Sequence, residues 1–223
     1  MISRVLLFGT SYCEGQPARH LFTQWLDLVT KLNLDADILV VDSASPDLPD
    51  TGRARVLQLG DNIGHLTKTG RDGWGRAFCA GLQAAVDGGY RWAVHIETDL
   101  LFSRPVAPTL DKMSRSGVRV AAAVAHPWQW LESALVFADI GYVENTNLIE
   151  RYDWENVTPT DFPEVRLERL TKREVFALPF RGYRNDLGAV TVQNMRKFFP
   201  TGIDWITHAD AAVCREFLRV NGL

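Results

Sequence analysis

The chain has 223 residues, 46% of them apolar and 23% charged, with a formal net charge of −3. That length suits one large α/β domain able to bury a sizeable core. A near-neutral balance, with no block of like charges, excludes the electrostatic footprint of a protein that binds nucleic acid or an anionic membrane.

Three cysteines, Cys13, Cys79 and Cys214, show no C-x-x-C spacing, which argues against a disulfide framework or a zinc site and points to a reducing cytoplasm. The opening "MISRVLLFGTSYCEG" holds only a four-residue apolar run, too short for a signal peptide. No run approaches the ~18 apolar residues of a membrane span, so no integral membrane segment is expected.

In chain order, the first half alternates strand and helix. Residues 5–11, "VLLFGTS", read as a buried strand. Residues 17–34 place Leu21, Trp25, Leu28, Val29 and Leu32 at helical spacing, with Pro17 in the first turn. Residues 37–47 form a strand running into the turn-rich "DSASPD", and 55–62 a further strand and turn. Residues 73–90 are helical and stop at Gly88-Gly89. "RWAVHIETD" is the next strand. Such alternation implies parallel pairing with right-handed crossovers. The second half is less regular. Residues 118–128 predict a strand closed by Pro127, and 127–144 are aromatic and ambiguous. Residues 151–175 read as loops or a surface hairpin, 176–190 as strand, loop and strand or turn, and 207–222 as a final helix. With no repeat, low-complexity segment or linker, the chain reads as a single domain.

The acidic positions carry the chemistry. Side chains alternate along a strand, so a strand that persists to Asp99 turns Glu97 and Asp99 the same way, able to share a hard divalent cation such as Mg²⁺ or Mn²⁺. The bland alternative is a solvated turn. Upstream, Asp42, Ser43 and Asp47 end one strand and Asn62 and Gly64 follow another. In open α/β sheets, ligands bind beyond such strand ends. Asp42 and Asp47 can accept hydrogen bonds from a ribose or base, or simply close an Asx turn. In "NIGHLTKTGRDGWGRAF", glycines allow close backbone approach, while Lys68 and Arg71 can meet phosphates at a helix N-terminus. Neither a Walker A sequence nor a dinucleotide fingerprint is present.

The ordered set "GTS", "VVDSASPD", "LGDNIG…GWGRAFCAGLQAA" and "VHIETDLLF" resembles the nucleotide-sugar-binding half of GT-A-fold glycosyltransferases, over residues 4–106. It is most similar to the large inverting family that includes many bacterial polysaccharide synthases. The resemblance implies a Rossmann-type, mostly parallel central sheet with flanking helices, a donor half (1–106) and a less regular acceptor-side half (107–223). It implies a nucleotide-diphosphate sugar as donor, a carbohydrate or other hydroxyl as acceptor, and Mn²⁺ or Mg²⁺ as cofactor. The family's D-x-D metal motif falls on Glu97-Thr98-Asp99, where Glu keeps the charge on a longer arm, and its nucleotide-contacting Asp falls on Asp42 or Asp47. The family's catalytic Asp falls on Asp210, with His208 a third metal ligand and His208-Ala209 replacing the usual acidic partner. Thr207-x-x-Asp210 also fits a helix-opening cap. Trp128 and Trp130 can stack on a sugar or join the core. Arg181, Tyr183, Arg184 and Asp186 can meet the acceptor or the diphosphate, or form a surface loop. Two competing functions stay open: a nucleotidyltransferase, against which the missing basic glycine-rich loop after the first strand counts, and a non-catalytic nucleotide-sugar-binding relative.

Overall fold

A computed structural model describes residues 4–64, 70–125, 130–158, 160–172, 174–186 and 188–223. Lys68 and Trp128 lie outside the described residues.

The first half of the chain is built from β1 (Val5–Ser11), α1 (Gly15–Leu32), β2 (Asp37–Asp42), β3 (Arg55–Gln58), α2 (Gly73–Asp87) and β4 (Trp92–Ile96). β1 and β4 are buried along their whole length. Continuous burial without alternation is the signature of strands covered on both faces. α1 buries Phe22, Trp25, Leu26, Leu28 and Val29. α2 buries Trp74, Phe78, Leu82 and Ala85, one face at helical spacing. Gly81 brings α2 onto β1, since a side chain there would overlap the Phe8 ring.

The rest of the chain adds β5 (Leu101–Phe102), α3 (Ala107–Ser116), β6 (Val120–Ala125), β7 (Trp130–Asp139), α4 (Ile140–Asn145), α5 (Leu148–Tyr152), α6 (Pro163–Leu170), β8 (Phe176–Ala177), β9 (Gly182–Arg184), α7 (Met195–Phe198), β10 (Trp205–Thr207) and α8 (Ala211–Val220). Seven strands form the central sheet in the order β3-β2-β1-β4-β7-β6-β8, and β5-β10-β9 form a small second sheet. In the central sheet β7 runs antiparallel to its neighbours β4 and β6, while the other pairs are parallel. One apolar cluster packs α1, α3 and α8 against one face of the sheet. A second packs α2, α4, α5 and α6 against the other. No described helix is long and apolar enough to cross a membrane.

Two segments differ from the sequence reading. Within the ambiguous stretch 127–144, the described residues from Trp130 form a ten-residue strand followed by α4, opened by Asp139, whose carboxylate accepts from the Tyr142 N–H. The expected loops or hairpin of 151–175 contain α6, because Pro163 starts it at N1 and Arg166 and Leu167 bury one side.

Candidate active site

β1 to β4 all end on one edge of the central sheet, at Ser11, Asp42, Gln58 and Ile96, and antiparallel β7 begins there. β4 stops one residue before Glu97. The Glu97 N–H donates to the Ala134 carbonyl (2.9 Å) on β7, and the Leu100 N–H closes a turn on the Glu97 carbonyl (2.9 Å). The period-two reading that gave Glu97 and Asp99 a common face therefore fails, because a turn replaces the strand. Thr98 is buried and its hydroxyl donates to the Thr10 carbonyl (2.9 Å), pinning the turn to β1.

Asp99 sits where this turn meets β10. The Thr207 hydroxyl donates to its Oδ1 (3.1 Å), and His208 Nδ1 lies 3.7 Å from its Oδ2. His208 follows β10 with φ +55, in the left-handed region that His tolerates better than most residues. The same Nδ1 is 3.4 Å from Asp186 Oδ1. Arg184 Nε donates to Asp186 Oδ2 (2.7 Å), and its Nη1 lies 3.5 Å from Glu132 Oε2 and 4.0 Å from Glu164 Oε1. Ser133 Oγ donates to Glu164 Oε1 (2.7 Å), and the Ala134 N–H to Glu132 Oε1 (3.2 Å). A continuous polar network thus joins Asp99, His208, Asp186, Arg184, Glu132 and Glu164.

The electrostatics follow from this crowding. Burial pushes the Glu97 carboxyl well above its ordinary range, and the nearby charges of Asp99 and Glu132 push it further, with Arg184 pulling the other way. Burial also pushes Glu132 up to about 7, against the pull of Arg184. A site this rich in carboxylates favours a cationic guest. Among the described residues no three His, Cys, Asp or Glu side chains are arranged to hold a metal ion by themselves. Asp99 and His208 converge, however, and Mg²⁺ typically takes only one or two protein carboxylates, completing its shell with water and substrate phosphates. The residues present fit such a partial site.

The other candidates fall in different settings. Asp42 is fully buried, and its oxygens hold its own loop and the end of β3: Oδ2 accepts from the Ser45 N–H (2.9 Å) and Gln58 Nε2 (2.7 Å), Oδ1 from the Ser45 hydroxyl. The Asx-turn alternative describes it. Asp47 is exposed and Ser43 half-buried, its N–H held by the Ser11 carbonyl (2.9 Å). Asn62 Oδ1 accepts from the Gly64 N–H (2.9 Å), and Gly64, at φ +72, receives the Gly73 N–H on its carbonyl (2.8 Å). Arg71 is exposed, 3.7 Å from Glu155. Trp130, 68% exposed, opens β7 two residues before Glu132. Arg181 is exposed, while Tyr183 is buried against Phe199 and belongs to the core. Asp210 caps α8, its Oδ1 accepting from the Ala212 and Val213 N–H groups (2.8 and 2.9 Å). Its charge and that of Asp99 both raise the buried Cys214 thiol, whose pKa burial pushes up to about 12.

Glu132 and Glu164 were not singled out from the sequence. Glu132 did leave a signal: it is a lone carboxylate in the apolar run "WLESALVF", and a buried charge in a core strand needs a partner.

Among solved structures, the chain resembles a mannosyltransferase from Pyrobaculum calidifontis, in complex with GDP-Man and Mn²⁺, at 16% identity, covering 72% of this chain and 56% of that one with a TM-score of 0.49. It resembles the bifunctional glycosyltransferase WbbM at 10% identity, covering 98% of this chain and 49% of that one with a TM-score of 0.57. It resembles a glycosyltransferase involved in glycosylation of the major capsid of PBCV-1 at 6% identity, covering 99% and 100% with a TM-score of 0.56. The chain has a glycosyltransferase fold. The nearly whole-chain matches to WbbM and the PBCV-1 enzyme carry that statement, and the mixed α/β sheet agrees with it. The chain spans about half the length of the first two. No family model and no curated protein matches it.

Proposed function

We propose that this protein transfers a sugar from a nucleotide-diphosphate sugar to an acceptor hydroxyl, with the aid of a divalent cation and with inversion at the sugar carbon. The observation that carries the reading is the gathering of Asp99, Glu97, His208 and Asp186 at the carboxyl edge of the sheet, within a fold shared with glycosyltransferases.

Asp99 and His208 would hold the cation, with Glu97 beside them. When bound, Mn²⁺ or Mg²⁺ supplies charge neutralisation for the departing diphosphate. The loop bearing Asn62, Gly64, Lys68 and Arg71 would receive nucleotide and phosphates, with Ser43 and Asp47 near the nucleoside. Asp42 supports that rim by holding Ser45 and Gln58. Arg184 keeps Glu132, Glu164 and Asp186 apart in charge, so that the acceptor side does not repel itself open. Asp210 would take the proton from the acceptor hydroxyl as that oxygen attacks the sugar. Its Oδ1 is fixed by the cap, which orients the carboxylate. Trp130 and Arg181, both exposed, lie on the acceptor-side half. A single domain and a cytoplasmic site complete the proposal, the latter supported by three free, buried cysteines.

The test is incubation with UDP-, GDP- and dTDP-sugars, Mn²⁺ and a panel of saccharide acceptors, read by proton NMR of the anomeric signal. Transfer with inverted configuration is expected. Asp210→Asn should lower turnover on the order of a hundredfold or more, the usual share of a general base. Pyrophosphate release from a nucleoside triphosphate instead, or an Asp210→Asn variant at full rate, contradicts the proposal.

A further inference from the structure

The loop between β3 and α2, which the proposed function assigns to the donor, is backed by a segment from the other half of the chain. Asp72 N–H donates to the Trp154 carbonyl (2.9 Å), and Val157 N–H to the Gly70 carbonyl (2.8 Å). Arg71 pairs with Glu155 at 3.7 Å, and the guanidinium groups of Arg71 and Arg76 lie 6.0 and 5.5 Å from the Trp154 ring. Residues 152–157 thus form a second wall along the chain from Gly70 to Arg76.

One side chain fastens this wall. Asp72 stands at the N-cap of α2 yet makes no side-chain cap bond, and it is fully buried. Tyr152 ends α5, is also fully buried, and its phenol donates to Asp72 Oδ2 (2.9 Å). Asp72 Oδ1 has no partner among the described residues. Tyr152 therefore supplies the sole hydrogen bond this buried carboxylate receives there. The phenol is itself held in place. Arg166, 4% exposed, donates from Nε to the Tyr152 carbonyl (2.6 Å) and from Nη2 to the Asp153 carbonyl (2.7 Å), with its guanidinium 5.1 Å over the Tyr152 ring. Gly75 leaves the space the ring occupies, since a side chain there would overlap both the ring and Asp72 Oδ2.

We infer that Tyr152 is a positioning residue of the donor site: through Asp72 it fixes the backbone of Gly70 to Gly73, and with it Arg71 and Gly64, in the arrangement that receives the nucleotide diphosphate. A buried carboxylate stripped of its hydrogen bond is strongly disfavoured. Without the phenol, Asp72 gains by swinging toward water. Its backbone carries the bond to Trp154, and its neighbour Gly73 carries the bond to Gly64 (2.8 Å), so both ends of the loop move with it. A loop that must be ordered on binding loses affinity to that ordering, so a loop already held in place binds more tightly. The inference rests on the donor reading above, and the experiment separates the two.

The measurement pairs hydrogen–deuterium exchange with calorimetric titration of UDP, GDP and dTDP in Mn²⁺, on wild type, Tyr152→Phe, Asp72→Ala and Tyr142→Phe. Tyr142 is a control, because its hydroxyl donates to Glu174 (3.2 Å) away from the loop. Tyr152→Phe and Asp72→Ala should speed exchange in peptides spanning residues 59–76 by about tenfold, and weaken the best diphosphate by about three- to tenfold, the worth of one hydrogen bond. Tyr142→Phe should do neither. Asp72→Ala removes the buried charge along with the latch, so it decides the matter even if Tyr152→Phe fails to fold. Diphosphate affinity within about twofold of wild type in the folded variants, or faster exchange confined to α5 and α6, overturns the positioning role while leaving the donor reading intact. A wild-type chain that binds none of the three diphosphates removes the donor reading and this role with it.

Discussion

His95 shows how a single buried side chain ties the site together. It is fully buried on β4, with Nε2 3.1 Å from the Thr10 hydroxyl and Nδ1 2.9 Å from the Ser133 carbonyl, so it links β1, β4 and β7 just before the Glu97 turn. Burial lowers its pKa to about 4, from an ordinary value of 6.5. Between those values the unfolded chain binds a proton that the folded one refuses, so stability rises with pH across that window and is lost on acidification. From pH 7 to pH 5 this single group should cost about 2 kcal/mol. The raised carboxyls Glu97 and Glu132 act in the opposite sense, so the comparison must be between variant and wild type. His95→Gln should flatten the fall in Tm between pH 7 and 5 by roughly 4–8 °C, given the chain length. Parallel curves for the two proteins would contradict this. At this scale the sequence was partly legible. Glu97 and Asp99 stood out as candidates because acids closed an apolar strand, and His208 only through the family resemblance; the structure brings Asp99 and His208 within 3.7 Å of each other. Glu132 and Glu164 did not, since their roles depend on β7 and α6 meeting at Arg184, and that meeting is a long-range event without local signal. Asp42 read equally as a ligand or a turn residue, because an aspartate before Ser-x-Ser can satisfy its own turn, and the structure shows it bonded to Ser45.

Elements differ in how much of themselves they advertise. The βα alternation of the first half was readable because strands covered on both faces are continuously apolar and their helices carry a stripe. β7 was not, since a ten-residue strand buried on both faces has no period to separate it from a buried helix. Its pairing with β6 also slips between Ala122, opposite Val136, and Ala123, opposite Glu132. Beyond that slip Glu132 stands opposite Ala123, and the Ser133 hydroxyl donates to Glu164. α6 escaped because it is short and buries only Arg166 and Leu167. The small sheet offers a test at this scale. β9 and β10 carry Arg184 and Thr207, and they pair in register at Gly182 and Trp205. Trp205 is fully buried and its ring fills the space beside Gly182, so any side chain there collides with it. Gly182→Ala should cost about 2–3 kcal/mol by overpacking, seen as a lower urea midpoint at unchanged slope. A midpoint equal to wild type would show that the two strands part more easily than this packing implies.

Across the whole molecule, the sheet brings together acids that are far apart in sequence. Asp99 from the end of β4, Asp186 after β9 and His208 after β10 meet on one edge. The segment from Gly70 to Asp72, just before α2, is backed by Trp154 and Val157 from beyond α5. The fold class was legible because element order alone constrains it. The layout of the second half was not, because its loops and short helices are positioned by contacts rather than by periodicity. The central claim is that Asp99 and His208 hold a divalent cation together with a nucleotide diphosphate. Its most direct test is a crystal of the protein soaked with MnCl₂ and UDP, GDP or dTDP, and measured at a wavelength where manganese scatters anomalously. An anomalous peak in contact with Asp99 Oδ2 and the diphosphate is the predicted result. A diphosphate bound elsewhere, or manganese bound away from Asp99, would contradict the account.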